Sequence, residues 1–260
     1  MKVPFVKRYI EPGALVARRL AGKPAPKWRV SVMAFRDHPG TKILVKAFKA
    51  RPFGRRVLYS LDQDPSHPEV FEARMGRHRV GVVGYCDWGG PMAAILVEEL
   101  AALGVRHIVG YGACGSLVSG LPRGAQVVAS QALPTDGTSR AYCRVLSRAD
   151  PGLLRTANRC AREQGIALRA VTVATVDALY RETKPAMDRL RWMGAEAINM
   201  ENAPFYAASR ACGVKAVWLG LVSDRLVTDD WENWHGNPEE ISEATARLCR
   251  AVVEATLRQA

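Results

Sequence analysis

The chain is expected to fold as a single α/β domain, a central β-sheet flanked by helices, and three observations predict this. From Arg79 onward, short apolar runs rich in β-branched residues alternate with helical patterns, as in a mainly parallel sheet covered by helices. Pro and Gly punctuate that alternation at helix starts and ends. The 260 residues are 48% hydrophobic and 24% charged, an ordinary globular composition that can fill one large core.

Before residue 66 the chain is rich in Pro, Arg and Lys and has poor periodicity, and only residues 30–35 read as a clear strand. Residues 80–84 give the next apolar strand, then a loop over 85–90 and a helix that Pro91 opens. Ala94, Ile95, Val97, Leu100 and Leu103 form the apolar side of that helix, and Gly104 stops it. Residues 107–112, 126–130, 168–174 and 215–222 are further strands, rich in β-branched side chains. Helices are expected over 153–164, closed by Gly165, and over 204–211, with Pro204 in the first turn and Gly213 past the end. The final segment, 238–259, sets Ile241, Leu248 and Val252 on one stripe. No repeat of solenoid length is evident.

Lys and Arg number 37 against 25 Asp and Glu, and the net charge of +12 favours anionic partners. The cations are spread over the chain without interleaved aromatics, so the charge reads as solubility and no nucleic-acid partner is expected. Cys86, Cys114, Cys143, Cys160, Cys212 and Cys249 stand singly, a pattern of neither a metal centre nor a disulfide framework. The first residues lack the apolar core of a signal peptide, and no later run is long enough to span a bilayer. A soluble cytoplasmic protein without a membrane partner is expected.

The most informative stretch is Asn199-Met200-Glu201, where an apolar strand passes into a helix, together with Val222-Ser223-Asp224 closing the next strand. In an open α/β sheet the carboxyl ends of strands line the ligand crevice, so Glu201 and Asp224 can face one small molecule. Local pattern leaves open that Glu201 only favours a helix start and Asp224 only caps a turn. Gly112-Ala113-Cys114-Gly115 follows a strand as a Gly-rich turn able to cradle an anion, although a ligand-free turn has the same pattern.

Taken in order, Gly89-Gly90-Pro91, Gly112-Ala113-Cys114-Gly115, Asp136-Gly137-Thr138-Ser139, Val176-Asp177-Ala178-Leu179-Tyr180, Asn199-Met200-Glu201 and Val222-Ser223-Asp224 form a series that resembles the purine nucleoside and uridine phosphorylase family. The resemblance spans about residues 80–225. It implies one α/β domain with a distorted mixed sheet ringed by helices, a homo-oligomer, and cleavage of the N-glycosidic bond of a nucleoside. It places Met200 and Glu201 against the ribose, with Glu201 accepting hydrogen bonds from its hydroxyls. It makes Asp224, beside Ser223, the general acid that protonates a departing purine. Leu179 and Tyr180 match the base-stacking pair, with Leu lacking a π-face; core packing explains them equally well. Gly112, Ala113 and Cys114 would line the substrate. No cofactor is implied, and phosphate is the possible co-substrate.

The departures fall on phosphate. Asp37-His38-Pro39-Gly40 is a poor echo of the family's Gly-Asp-Pro-x-Arg turn, and Gly110 and Ala113 stand where an Arg and a Ser or Thr are usual. Asp87 puts a negative charge in a loop that commonly has Gly, and Asn199 replaces a Glu. Three explanations follow: phosphate held by Arg36, Lys42, Arg140 or a neighbouring subunit; water in place of phosphate; or a pocket that only binds a ligand. A dimer-based assembly, a hexamer above all, would bring cations from a second copy. A dinucleotide-binding fold is disfavoured, because no G-x-G-x-x-G opens a βαβ unit.

Overall fold

The computed structural model describes residues 8–61, 69–86, 89–143, 145–227, 231–233 and 239–259. In chain order they form α1 (Pro12–Leu20), β1 (Trp28–Phe35), α2 (His38–Phe48), β2 (Arg51–Pro52), β3 (Val70–Met75), β4 (His78–Val83), α3 (Gly90–Ala102) and β5 (His107–Ser116). Then come β6 (Gln126–Leu133), β7 (Ser147–Arg148), α4 (Pro151–Glu163), β8 (Leu168–Thr175), α5 (Lys184–Trp192), β9 (Ala197–Asn199), α6 (Asn202–Ala211), β10 (Lys215–Arg225) and α7 (Glu239–Gln259). Short 3-10 turns lie at Ser139–Ala141 and Leu179–Arg181.

One mixed sheet runs in the order β10-β6-β8-β9-β5-β1-β4-β3-β2, and β10 also pairs with β5. Strands β5, β10, β6, β8 and β9 therefore close on themselves, which removes free edges from that half. The pairs β1–β4, β1–β5 and β5–β10 are parallel, so the carboxyl ends of these strands emerge on one side. β9 crosses there antiparallel to the end of β5, with Gly115 opposite Ile198. The fold is the single α/β domain expected, and its sheet is mixed, as the family resemblance implies.

The N-terminal part holds more structure than its sequence pattern conveys. β1 lies at the sheet's centre between β4 and β5, buried at every position but Arg29, so it lacks the alternation that betrays a half-exposed strand. Asp37 caps α2 by accepting the Gly40 amide at 3.0 Å. On α3, Ala93, Leu96, Val97 and Leu100 are buried while Ile95 is exposed, so Ile95 does not belong to the apolar face expected of it. No helix among the described residues is long and apolar enough to cross a membrane.

A second correction concerns the Gly-rich turn. Residues 112–115 are not a turn after a strand but the last part of β5 itself, paired with β10. Their amides therefore sit in a ladder rather than a loop. The glycines serve packing: a Cβ on Gly110, Gly112 or Gly220 would stand 2.7, 2.7 or 2.2 Å from the Trp218 indole, which lies fully buried across them.

Candidate active site

The carboxyl ends of β1, β5 and β10, the β9–α6 junction and the 3-10 turn at Leu179 surround a cavity of about 280 Å³. Its position is the one an α/β sheet offers a ligand.

β9 ends at Asn199, whose Oδ1 accepts the amides of Glu201 and Asn202 at 3.3 and 3.2 Å. Asn199 thus covers the start of α6, leaving Glu201 free of the capping role. The Glu201 carboxylate instead turns inward, 6% exposed, and accepts the Gly89 amide on Oε1 at 3.1 Å and the Met200 amide on Oε2 at 3.2 Å. Burial pushes its pKa up to about 7, against the pull of these two amides. Asn199 Nδ2 is buried without a partner and belongs to a side chain that lines the cavity, a donor left for a ligand oxygen.

At the end of β10 the register with β5 shifts between Val222 and Asp224, and Ser223 is the extra residue of a bulge. The Ser223 hydroxyl donates to Asp224 Oδ1 at 2.6 Å and also lies 3.3 Å from the Cys114 carbonyl oxygen. The Trp231 indole donates to Asp224 Oδ2 at 2.9 Å. Glu182, just past the 3-10 turn, lines the same cavity; burial first and the charge of Asp224 second push its pKa up to about 7. Burial, with Asp224 nearby, also raises the pKa of the Cys114 thiol, which is an inert free cysteine here.

Arg36 follows β1 into the cavity with its side chain 10% exposed. Its Nη2 reaches the Ser242 hydroxyl at 3.4 Å, its Nε lies 3.7 Å from Asp37 Oδ1, and its Cζ is 5.8 Å from the Tyr111 ring centre. Nη1 is buried with no partner. The guanidinium packs so closely over Gly40 that a Cβ there would stand 2.6 Å from Nε.

Of the residues singled out in the sequence, Leu179, Ala113, Cys114, Asn199, Met200, Glu201, Ser223, Asp224 and Arg36 line this one cavity. Gly112 does not: it faces Trp218 in the core. Tyr180 is 96% exposed and lies outside the lining, as does Lys42 on the outer face of α2. Arg140 lines a neighbouring cavity of about 710 Å³ with Asp177, Arg189 and Glu182. Asp136 is buried as an acceptor for the Ser139 amide and hydroxyl, and Asp177 holds the Gly137 amide, so both tie loops. Asp87 lies outside the described residues. Sequence reasoning missed Phe35, Ile198 and Glu182, while Asp37, read there only as part of a poor phosphate-turn echo, lines the cavity. Glu182 had no signal beyond its place two residues after Tyr180, since an isolated Glu in a turn looks like solvated surface.

The phosphorylase superfamily profile matches residues 44–258, and the chain belongs to that family, whose members act on nucleoside glycosidic bonds. The match is wider than residues 80–225 and takes in the end of α2 and most of α7. The chain is 31% identical over 147 residues to an uncharacterised protein of Acanthamoeba polyphaga mimivirus, covering 56% of this chain and 58% of that protein, under two thirds of its length. It is 30% identical over 166 residues to a guanosine phosphorylase of Halorubrum lacusprofundi, covering 63% and 69%. Among solved structures, an AMP nucleosidase from Bacteroides thetaiotaomicron superposes with a TM-score of 0.74 at 17% identity, over 95% of this chain and 98% of that one. That likeness is one of fold.

Proposed function

We propose that the protein cleaves the N-glycosidic bond of a purine nucleoside by phosphorolysis. The carrying observation is that Glu201, Asp224 and Arg36, from three separate elements, line one cavity. Glu201, ionised, suits a vicinal diol through charge-assisted hydrogen bonds and favours the positive charge that grows on the sugar as the bond breaks. Asp224 lies toward the base, where an acid aids departure of a purine. Arg36 is the candidate phosphate contact of the three raised by the sequence, supported by its buried, unpartnered Nη1. Asn199 Nδ2 is a second donor for the same anion or for the ribose.

Hydrolysis is the second reading. Arg36 is the one cation among the described residues lining the cavity, and a phosphate held out of water calls for several charge-assisted donors. A second copy of the chain would supply the missing ones. Tyr180, 96% exposed next to Leu179, and Trp192, 88% exposed at the end of α5, support a homo-oligomer, with a dimer-based hexamer as the expected form.

The deciding experiment follows free base released from a panel of purine and pyrimidine nucleosides with and without inorganic phosphate. Release that depends on phosphate is the expected result. Release without it would establish hydrolysis, and no release from any nucleoside would leave a binding protein.

A further inference from the structure

The stretch from Ala178 to Glu182 divides two cavities. Leu179 and Glu182 line the cavity of Glu201 and Asp224, while Ala178, Arg181 and Glu182 line the neighbouring one of about 710 Å³. Glu182 belongs to both and lies close enough to Asp224 to feel its charge, so the two cavities meet at the end of the site where Asp224 stands. The second cavity is cationic. Arg140 from the 3-10 turn after β6, Arg181 from the 3-10 turn at Leu179 and Arg189 from α5 converge on it, and among the described residues none of the three makes a hydrogen bond or an ion pair. Val176, Met187 and Leu190, part of a small apolar cluster at α5, give it an apolar wall.

We infer that the second cavity holds an acidic side chain carried on the base of the substrate, so that the preferred substrate is a purine nucleoside whose exocyclic nitrogen bears a carboxylate-ended carbon stem. The inference rests on the nucleoside-cleaving reading above and names the substrate class of that site. Arg140, Arg181 and Arg189 would bind the carboxylates, and the apolar wall would take the stem.

Three features support the assignment. The first cavity, about 280 Å³, stands at the lower edge of ligand pockets, which run from roughly 300 to 1,000 Å³, so a base with a long substituent has to continue past Glu182. Like charges gathered on one concave surface repel one another, and an anion among the three guanidinium groups relieves that repulsion. The acids on the same lining are fewer, and one is engaged: Asp177 Oδ2 accepts the Gly137 amide at 2.7 Å. Glu182, without a hydrogen bond or ion pair among the described residues, has oxygens available at the junction. An alkylated exocyclic amine keeps one N–H, which a carboxyl oxygen there can accept.

The test follows base release by the full chain, with phosphate present, from adenosine, from adenosine whose exocyclic nitrogen carries a dicarboxyethyl group, and from the uncharged diamide of that compound. The diacid should be cleaved with a kcat/KM about tenfold or more above that of the diamide, which matches it in size but not in charge. Arg189→Ala should lower the diacid-to-diamide ratio by about tenfold, as should Arg181→Ala, while Arg189→Lys should restore part of it. Each ratio is taken within one preparation, so it does not depend on how much of a variant folds. A diacid cleaved no better than the diamide, or a ratio that the arginine variants leave unmoved, would overturn the inference while adenosine cleavage upheld the nucleoside reading. Release from none of the three, nor from any other nucleoside, would overturn the cleavage reading itself and this inference with it.

Discussion

Glu201 Oε1 accepts the Gly89 amide at 3.1 Å, so the residue that opens α6 also fixes the residue that precedes α3. Both hydrogen bonds to this carboxylate come from backbone amides, and neither depends on a titrating partner. The carboxylate is held in position before any ligand arrives, as electrostatic catalysis requires.

That burial gives Glu201 a pH signature in stability as well as in turnover. Its folded pKa of about 7 lies above the ordinary 4.5, so the native state binds more protons and loses stability as pH rises between these values. The loss amounts to about 3 kcal/mol at pH 8. Glu201→Gln has no such term: its Tm relative to wild type should climb from pH 4.5 to 8, while nucleoside cleavage falls by about 10². A pH-independent Tm difference would contradict the burial account.

Arg36 and Gly40 should act as one unit. Arg36→Met is expected to raise the KM for phosphate by tenfold or more with a smaller effect on the KM for nucleoside, the pattern of a lost charge-assisted contact. Gly40→Ala leaves the guanidinium in the chain but puts a methyl 2.6 Å from its Nε, and should give the same pattern more weakly. Steady-state kinetics with phosphate as the varied substrate checks both, and equal increases for phosphate and nucleoside would argue against a phosphate contact.

At the base end, Asp224→Asn should lower purine nucleoside turnover by about 10². Trp231→Phe removes the donor to Oδ2 and keeps the ring; one lost hydrogen bond of about 1 kcal/mol predicts roughly a fivefold loss. A Trp231→Phe enzyme as impaired as Asp224→Asn would point to collapse of the loop rather than loss of orientation.

Sedimentation or light scattering at micromolar concentration should find a dimer-based assembly, a hexamer above all. Substituting Trp192 by Ser should weaken it, as should the same change at Tyr180, since each is a largely exposed aromatic ring. A fully active monomer would rule the assembly out and leave the phosphate site to this chain's own residues.

Much of this fold was legible because strand and helix periods survive from residue 78 onward: β6, β8 and β10 begin where β-branched runs begin, and Gly104, Gly165 and Gly213 follow helix ends. β1 was legible over residues 30–35, but its neighbours α1, α2, β2 and β3 were not, since the Pro-rich flanks mimic loops. β9, only three residues long, carries no period at all, yet it brings Asn199 to the cavity. Glu201 and Asp224 were found because acids at strand ends are unusual locally. Glu182 was not, because what makes it informative is the company that folding gives it. Gly112 misled, since a glycine needed for the breadth of Trp218 looks in sequence like one needed for a turn.

The bulge at Ser223 makes the direction of the acid a matter of counting. Val222 stands opposite Cys114 and Asp224 opposite Gly115, so one residue is spent without advancing the ladder. Side chains alternate along a strand, and a single deletion at this point would reverse the parity of everything beyond it. A relative can therefore keep an acid in the same column of an alignment and still aim it into the core, if its strand lacks the extra residue. For comparing such chains, strand length up to this position is as informative as the identity of the residue that occupies it.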